Sequence, residues 1–197
     1  MIKTWRFNPK YIIARVKNYF YFKNNQDLPW MTKDANIFLL NNLRDDMVML
    51  EFGSGRSTQF YATKTKKVYS REHHKEWFDI VKKQIESVTN IEYKFYDDLA
   101  IYADTSDIKN NSLDLAVIDG KNRVNCLLNT IPKLKSGGVL VLDNAERYMV
   151  YQTSSPAKYL RAERNPRWGE VEELLRKNFW RHETTDNVSD TLFFFKR

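Results

Sequence analysis

One stretch, residues 47–58 (MVMLEFGSGRST), constrains the fold more than any other. It is an apolar strand ending in a carboxylate, then the turn Gly53-Ser54-Gly55, then the start of a helix at Ser57 and Thr58. Glycine lets a backbone turn tightly and approach a ligand with no Cβ in the way. A glycine turn on its own is a weak signal, so what surrounds it has to decide.

After this turn, short apolar runs alternate with helical periodicity. Strands are expected at residues 47–51, 67–71, 91–96, 113–118 and 139–142. Helices are expected at 57–63, 75–88 and 125–134, with Gly137-Gly138 closing the turn before the fifth strand. Such alternation argues for an α/β fold: a mostly parallel sheet with helices on both faces. Trp77, Ile80, Val81 and Ile85 share one helical face, so Trp77 is expected in the core, with stacking on a cofactor as the alternative. The C-terminus breaks the alternation. A helix near 168–178 leads into two β-rich runs, 179–184 and 191–195, read as an antiparallel hairpin across a polar turn.

Ahead of the sheet, Asn8-Pro9 reads as an N-cap with proline at the first helical position, opening a helix to about residue 22. Its Ile12, Ile13, Val16, Tyr19 and Phe20 recur at helical spacing among lysines and arginines. Packing on the core is the expected fate of that face, with peripheral contact to a membrane or a partner as the alternative. Residues 24–29 form a linker, and Thr32 caps a second helix ending near residue 43. The chain thus divides into a basic arm and linker, residues 1–30, and a domain, residues 31–197.

Charge follows that division. Residues 1–24 carry +6 of a net +7, residues 25–120 carry −4 and residues 121–197 carry +5. A nucleic-acid enzyme more often spreads its cations over the catalytic domain, so a nucleic-acid partner is not expected. At 197 residues there is room for one full core and little else. No apolar run approaches the roughly 18 residues of a membrane span, and the N-terminus has no signal-peptide h-region. The single cysteine, Cys126, excludes an internal disulfide and fits a reducing compartment, hence a cytoplasmic location. Three scattered histidines and that cysteine leave no structural zinc pattern.

Two acids sharpen the glycine turn. In a dinucleotide fold the helix after the turn receives a pyrophosphate. Glu51, just before the turn, would repel phosphates but attract an ammonium or a sulfonium, and Thr58 stands where a third glycine would be. Glu72 ends the second strand, 19 residues after Gly53, at a distance where a carboxylate accepts hydrogen bonds from ribose hydroxyls. Together they suggest a nucleoside with an amino-acid tail and no phosphate.

On these residues the chain resembles the Rossmann-like (class I) S-adenosylmethionine-dependent methyltransferases, over roughly residues 46–197. Leu50-Glu51-Phe52-Gly53-Ser54-Gly55 looks like their first motif and Ser70-Arg71-Glu72 like their ribose-binding acid. Ala116-Val117-Ile118-Asp119-Gly120 looks like the fourth-strand motif, and residues 134–143, LKSGGVLVLD, like the fifth. The resemblance implies a Rossmann-like, mostly parallel seven-stranded sheet with a C-terminal antiparallel hairpin, which ordinary dinucleotide-binding domains lack. It also implies S-adenosylmethionine as cofactor and transfer of its methyl group to a small-molecule acceptor, O-methylation being favoured. Glu51 would sit near the cofactor ammonium, directly or through water. Gly53, Ser54 and Gly55 would line the methionine tail, with Ser57 and Thr58 at the helix start. Glu72 would hold the ribose; for both Glu51 and Glu72 a helix-capping or surface acid is the alternative. Asp97 or Asp98 would lie at the adenine edge, a solvated turn being the alternative. Asp119 and Asp143 would face the transferred methyl, Asp119 also touching the cofactor.

Asp119, Asp143 and Asn144 are similar to the magnesium site of the catechol-type O-methyltransferases. The run Gly120-Lys121-Asn122-Arg123 departs from that group's acid, aromatic and spaced lysine, although Lys121 or Arg123 could stand in. A metal is therefore not favoured, and Asp119 and Asp143 read equally as hydrogen-bonding residues that shape a pocket. Residues 145–167, with Tyr148, Tyr151, Tyr159, Arg161, Arg164 and Arg167, form a loop that would cover the acceptor, or a solvated loop with surface charges. His73 and His74 fall on the cofactor side, His182 on an exposed hairpin, and Cys126 on a packed helix face. Two rivals stand beside this reading. A non-catalytic S-adenosylmethionine-binding module would bind the cofactor without turnover. A nicotinamide-dependent oxidoreductase is opposed by Glu51, Thr58 and the terminal hairpin.

Overall fold

The computed structural model describes residues 7–156, 158 and 165–197. Lys3 and Arg6 of the arm, and Tyr159, Arg161 and Arg164 of the expected acceptor loop, lie outside the described residues. Seven strands form one sheet: β1 Val48–Phe52, β2 Lys67–Glu72, β3 Ile91–Phe95, β4 Leu113–Ile118, β5 Leu134–Asp143, β6 Phe179–Thr185 and β7 Asp190–Lys196. Their order across the sheet is β3-β2-β1-β4-β5-β7-β6. β1 to β5 run parallel, and β7 returns antiparallel between β5 and β6. The expected fold class, including the C-terminal hairpin, is the one observed.

Alternation of side chains across the central strands builds two cores. Leu50, Phe52, Ala116, Ile118, Leu140 and Leu142 face helices α5 (Leu99–Ala103), α6 (Arg123–Thr130) and α7 (Trp168–Asn178), meeting Tyr102, Leu127 and Trp168. Met49, Leu115, Val117 and Val141 face the other way, onto Ala35 and Leu39 of α2 (Lys33–Asn42) and Phe60 and Tyr61 of α3 (Arg56–Ala62). Both faces of the inner strands are dry, so their sequences read as unbroken apolar runs. Each fully buried side chain of this size contributes roughly 1.5–3 kcal/mol.

Local chemistry explains the ends of several elements. Asn8 accepts a hydrogen bond from the Lys10 N–H and opens α1 (Pro9–Asn24), and Thr32 accepts from the Ala35 N–H and opens α2. Elsewhere the observed bounds differ from the expected ones. The helix expected at 75–88 is α4, Lys75–Gln84. The helix expected at 125–134 is α6, followed by a 3-10 turn, Ile131–Lys133. The fifth strand begins at Leu134, not residue 139, and carries Gly137 and Gly138 through a bulge against β4. The short helix α5 carries no sequence periodicity of its own; Asp98 caps it by accepting from the Ala100 and Ile101 N–H groups.

The N-terminal helix overturns an expectation. Ile12, Ile13, Val16, Tyr19 and Phe20 do not pack on the core; they are exposed. The helix turns Ala14 inward instead and is tied down by Asn18, whose Nδ2 donates to Asp186 Oδ2 at 2.6 Å. Arg56 of α3 anchors the following linker by donating to the carbonyls of Asn25 and Gln26.

Candidate active site

Strand order reverses between β1 and β4, and in open α/β sheets ligands bind beyond the carboxyl ends at such a point. The turns leaving these two strands touch there. Gly53 has φ +91°, and a Cβ on it would lie 2.9 Å from the Gly120 nitrogen and 3.0 Å from its Cα. Two glycines are thus what allow the two loops to close into one floor.

Glu72 organises the rim. Its Oε2 accepts from the Ser54 N–H at 2.9 Å and the Ser54 hydroxyl at 2.8 Å. Its Oε1 accepts from the His73 and His74 N–H groups at 2.8 and 2.9 Å. The Ser54 hydroxyl also meets the Tyr93 hydroxyl at 2.6 Å, and the Ser54 carbonyl accepts from Trp77 Nε1 at 2.7 Å. Trp77 is therefore not core. It is 44% exposed and stands over Gly55, a placement that helical periodicity alone misassigned.

Glu51 lies beneath this floor, buried, and does not open onto the crevice. It accepts hydrogen bonds from the hydroxyls of Ser57, Thr58 and Ser70 at 2.5, 2.7 and 2.7 Å. Burial outweighs those three donors and pushes its pKa up to about 7. Ser57 and Thr58 turn their hydroxyls toward this carboxylate, so the first turn of α3 presents a poor phosphate site. The effect of Glu51 on a ligand passes through the turn it braces or through water.

A crevice of about 560 Å³ opens above Gly53, Ser54, Glu72, His73, Trp77 and Gly120. A second cavity, about 950 Å³, lies between the ends of β4 and β5 and the helix α1, with Arg15, Phe22, Trp30, Arg56, Asp143 and Asn144 in its walls. Asp119 and Arg147 line both. Asp97 and Asp98 are exposed beyond the crevice, Asp98 capping α5.

Arg123 locks the two strand ends together. It donates through Nε to the Gly120 carbonyl at 2.9 Å, and through Nη2 to the Asp119 carbonyl at 2.7 Å and to Asp119 Oδ1 at 2.8 Å. Its Nη1 donates to the Asp143 carbonyl. Asp143 is buried and accepts from the Thr191 hydroxyl at 2.6 Å; burial, reinforced by the neighbouring Asp119 charge, holds its carboxyl well above the usual range. Asn144 adopts a left-handed conformation, φ 48°, to start the 3-10 turn Ala145–Arg147. These residues do not fit a hard divalent cation. The Arg123 guanidinium already pairs with Asp119, setting a fixed cation beside it, and burial holds the Asp143 carboxyl above its usual range, which weakens it as an anionic ligand.

The remaining loop residues are mostly structural. Tyr148 stacks on Trp168, and the Tyr151 hydroxyl donates to Asp190 at 2.7 Å. Arg167 donates to Asn125 Oδ1 at 2.6 Å on the surface. His73 and His74 line the crevice, and His182 is exposed. The buried Cys126 thiol, pushed up to about 12, is a packing group. Arg147 was missed by the sequence reading, although it lies four residues past Asp143.

No protein-family profile matches the sequence, and neither does any curated protein. Solved structures do match. A candidate methyltransferase from Streptococcus mutans, in complex with SAH, superposes with a TM-score of 0.60 at 13% identity, covering 84% of this chain and 97% of that one. A candidate caffeoyl-CoA O-methyltransferase from Staphylococcus aureus gives 0.60 at 14% identity, covering 93% and 92%. The tRNA (m1A58) methyltransferase TrmI from Aquifex aeolicus gives 0.57 at 15%, covering 84% and 68%. The chain has the Rossmann-like methyltransferase fold.

Proposed function

We propose that this chain is an S-adenosylmethionine-dependent methyltransferase that modifies a hydroxyl of a small, anionic acceptor. The observation that supports this reading is the meeting of two cavities at Asp119 and Arg147, directly beyond the strand-order reversal. When bound, S-adenosylmethionine supplies an electrophilic methyl group on a sulfonium. The residues of the crevice suit it: glycine floors at Gly53 and Gly120, carboxylates at Glu72 and Asp119, and Lys121 for the carboxylate of an amino-acid tail. Glu72 already has four protein donors, so a ribose would displace the Ser54 hydroxyl from it.

On the acceptor side, Asp119 is the carboxylate positioned to take a hydroxyl proton as the oxygen is methylated. Asp143, whose carboxyl burial raises above the usual range, shapes the pocket and is a positioning residue. The acceptor cavity is lined by four cations, Arg15, Lys23, Arg56 and Arg147, and three acids, Asp119, Asp143 and Asp186, and the cations are the groups that would meet a phosphate or carboxylate on the acceptor. A volume of about 950 Å³ suits a small molecule better than a polymer.

Titration calorimetry with S-adenosylhomocysteine and, separately, with NAD tests the cofactor. Binding of the first and silence from the second is expected; the reverse would overturn the proposal. Tight S-adenosylhomocysteine binding with no methyl turnover over a panel of hydroxylated anionic acceptors would favour a non-catalytic binding module.

A further inference from the structure

Helix α1 is built inside out relative to a helix that merely packs. Advancing about 100° per residue, its outward arc of about 120° carries Tyr19, Ile12, Lys23, Val16, Phe20 and Ile13. Of these, Ile12, Ile13, Val16, Tyr19 and Phe20 are between 47% and 62% exposed. The inward arc holds Ala14 and Asn18, the latter bonded to Asp186. Lys10 and Lys17 flank the outer apolar arc on one side and Arg15 on the other, and residues 1–26 contain no acid. Five exposed apolar side chains on one helix face are costly in water unless something covers them.

We infer that α1 docks this face on a membrane surface bearing anionic lipids. Charge complementarity names the occupant: an apolar strip flanked by cations and ended by Lys23 in its last turn, with no acid, matches an acyl boundary beneath negative headgroups. A protein groove or a second copy of this chain would more often supply or require acidic partners along such a face, and α1 itself has none to offer. No described helix is long and apolar enough to cross a membrane, so the contact is peripheral. The same helix gives Arg15, Tyr19 and Lys23 to the wall of the larger cavity. Docking therefore sets that cavity beside the headgroups.

Flotation of the full chain with lipid vesicles tests this. The chain should float with phosphatidylcholine vesicles containing about one-third phosphatidylglycerol and stay behind with pure phosphatidylcholine. The combined variant Ile12→Ser, Val16→Ser, Phe20→Ser should lose flotation, and each of Lys10→Gln and Lys17→Gln should weaken partitioning about fivefold. All five positions lie outside the crevice, so S-adenosylhomocysteine binding by these variants serves as the folding control. Failure to float with anionic vesicles overturns the inference, as does equal flotation of the serine variant or equal binding to neutral vesicles. Self-association that the serine variant abolishes, with no vesicle binding, also overturns it and assigns the face to a second copy. None of these results bears on cofactor binding, which calorimetry reads separately.

Discussion

Glu72 grips Ser54 twice, through the backbone N–H and through the hydroxyl, on a single carboxylate oxygen. One side chain at the end of β2 thereby sets the conformation of the turn leaving β1, and its other oxygen holds the two N–H groups that lead into α4. The acid expected to touch a ribose is also the bracket that shapes the crevice.

Removing it should therefore show two effects. Glu72→Ala should weaken S-adenosylhomocysteine binding by about 1–3 kcal/mol and lower the melting temperature, because four donors lose their acceptor. Glu72→Gln keeps the shape and should recover more of the stability than of the affinity. Calorimetry and thermal melts on the same samples separate the two, and unchanged affinity in both variants would remove Glu72 from the binding site.

Close approach gives a sharper steric test. A Cβ on Gly120 would fall 1.8 Å from the Tyr102 hydroxyl oxygen. That hydroxyl is buried with no hydrogen-bond partner among the described residues. Tyr102→Phe should thus be close to neutral. Gly120→Ala should cost about 1–3 kcal/mol through overpacking, and the double variant should regain much of that loss. Urea unfolding of the four proteins reads the coupling; strict additivity would mean the two groups do not meet.

Much of this was legible in the sequence because it depends on neighbours along the chain. Asn8 and Thr32 cap helices through bonds to residues two and three positions on, and β4 is apolar enough to announce a central strand. The failures share one physical cause. Periodicity says which side chains share a helix face, but not whether a sheet lies under that face. Trp77 over Gly55 and the outward arc of α1 were both assigned to the core for that reason. Arg123 and Arg147 act only once β4 and β5 lie side by side, a relationship no local pattern contains. The burial of Glu51 behind Ser57, Thr58 and Ser70 likewise needs β2 beside β1.

That burial makes a pH prediction. The folded chain raises the Glu51 pKa from 4.5 to about 7, so it keeps a proton that the unfolded chain releases. The stabilisation is whole below pH 4.5 and is lost as the pH climbs to about 7, where the ionised side chain costs on the order of 3 kcal/mol. Glu146, raised by burial to about 7 as well, slopes the same way. Glu51→Gln removes only the first contribution. Denaturant unfolding should show the variant gaining on the parent across that window, and a gap that stays flat with pH would mean Glu51 does not titrate there.

Asp119 and Arg123 carry the last prediction. Burial between the strand ends pushes the Asp119 carboxyl up, and Arg123 at 2.8 Å draws it back down. The Asp119 side chain keeps 37% exposure, but toward the two cavities, so its desolvation deepens when ligands fill them. A base in that position should lose about 10²–10⁴-fold in kcat as Asp119→Asn, a larger effect than the weakening of S-adenosylhomocysteine binding expected from its place in the crevice. Arg123→Lys keeps a positive charge but cannot span the carbonyls of Gly120, Asp119 and Asp143 as the guanidinium fork does. Its acidic limb in the pH–rate profile should therefore move to higher pH as Asp119 loses its fixed partner. A profile that keeps its limb in Arg123→Lys, or an Asp119→Asn enzyme at full rate, would place the proton acceptor on another side chain of the larger cavity.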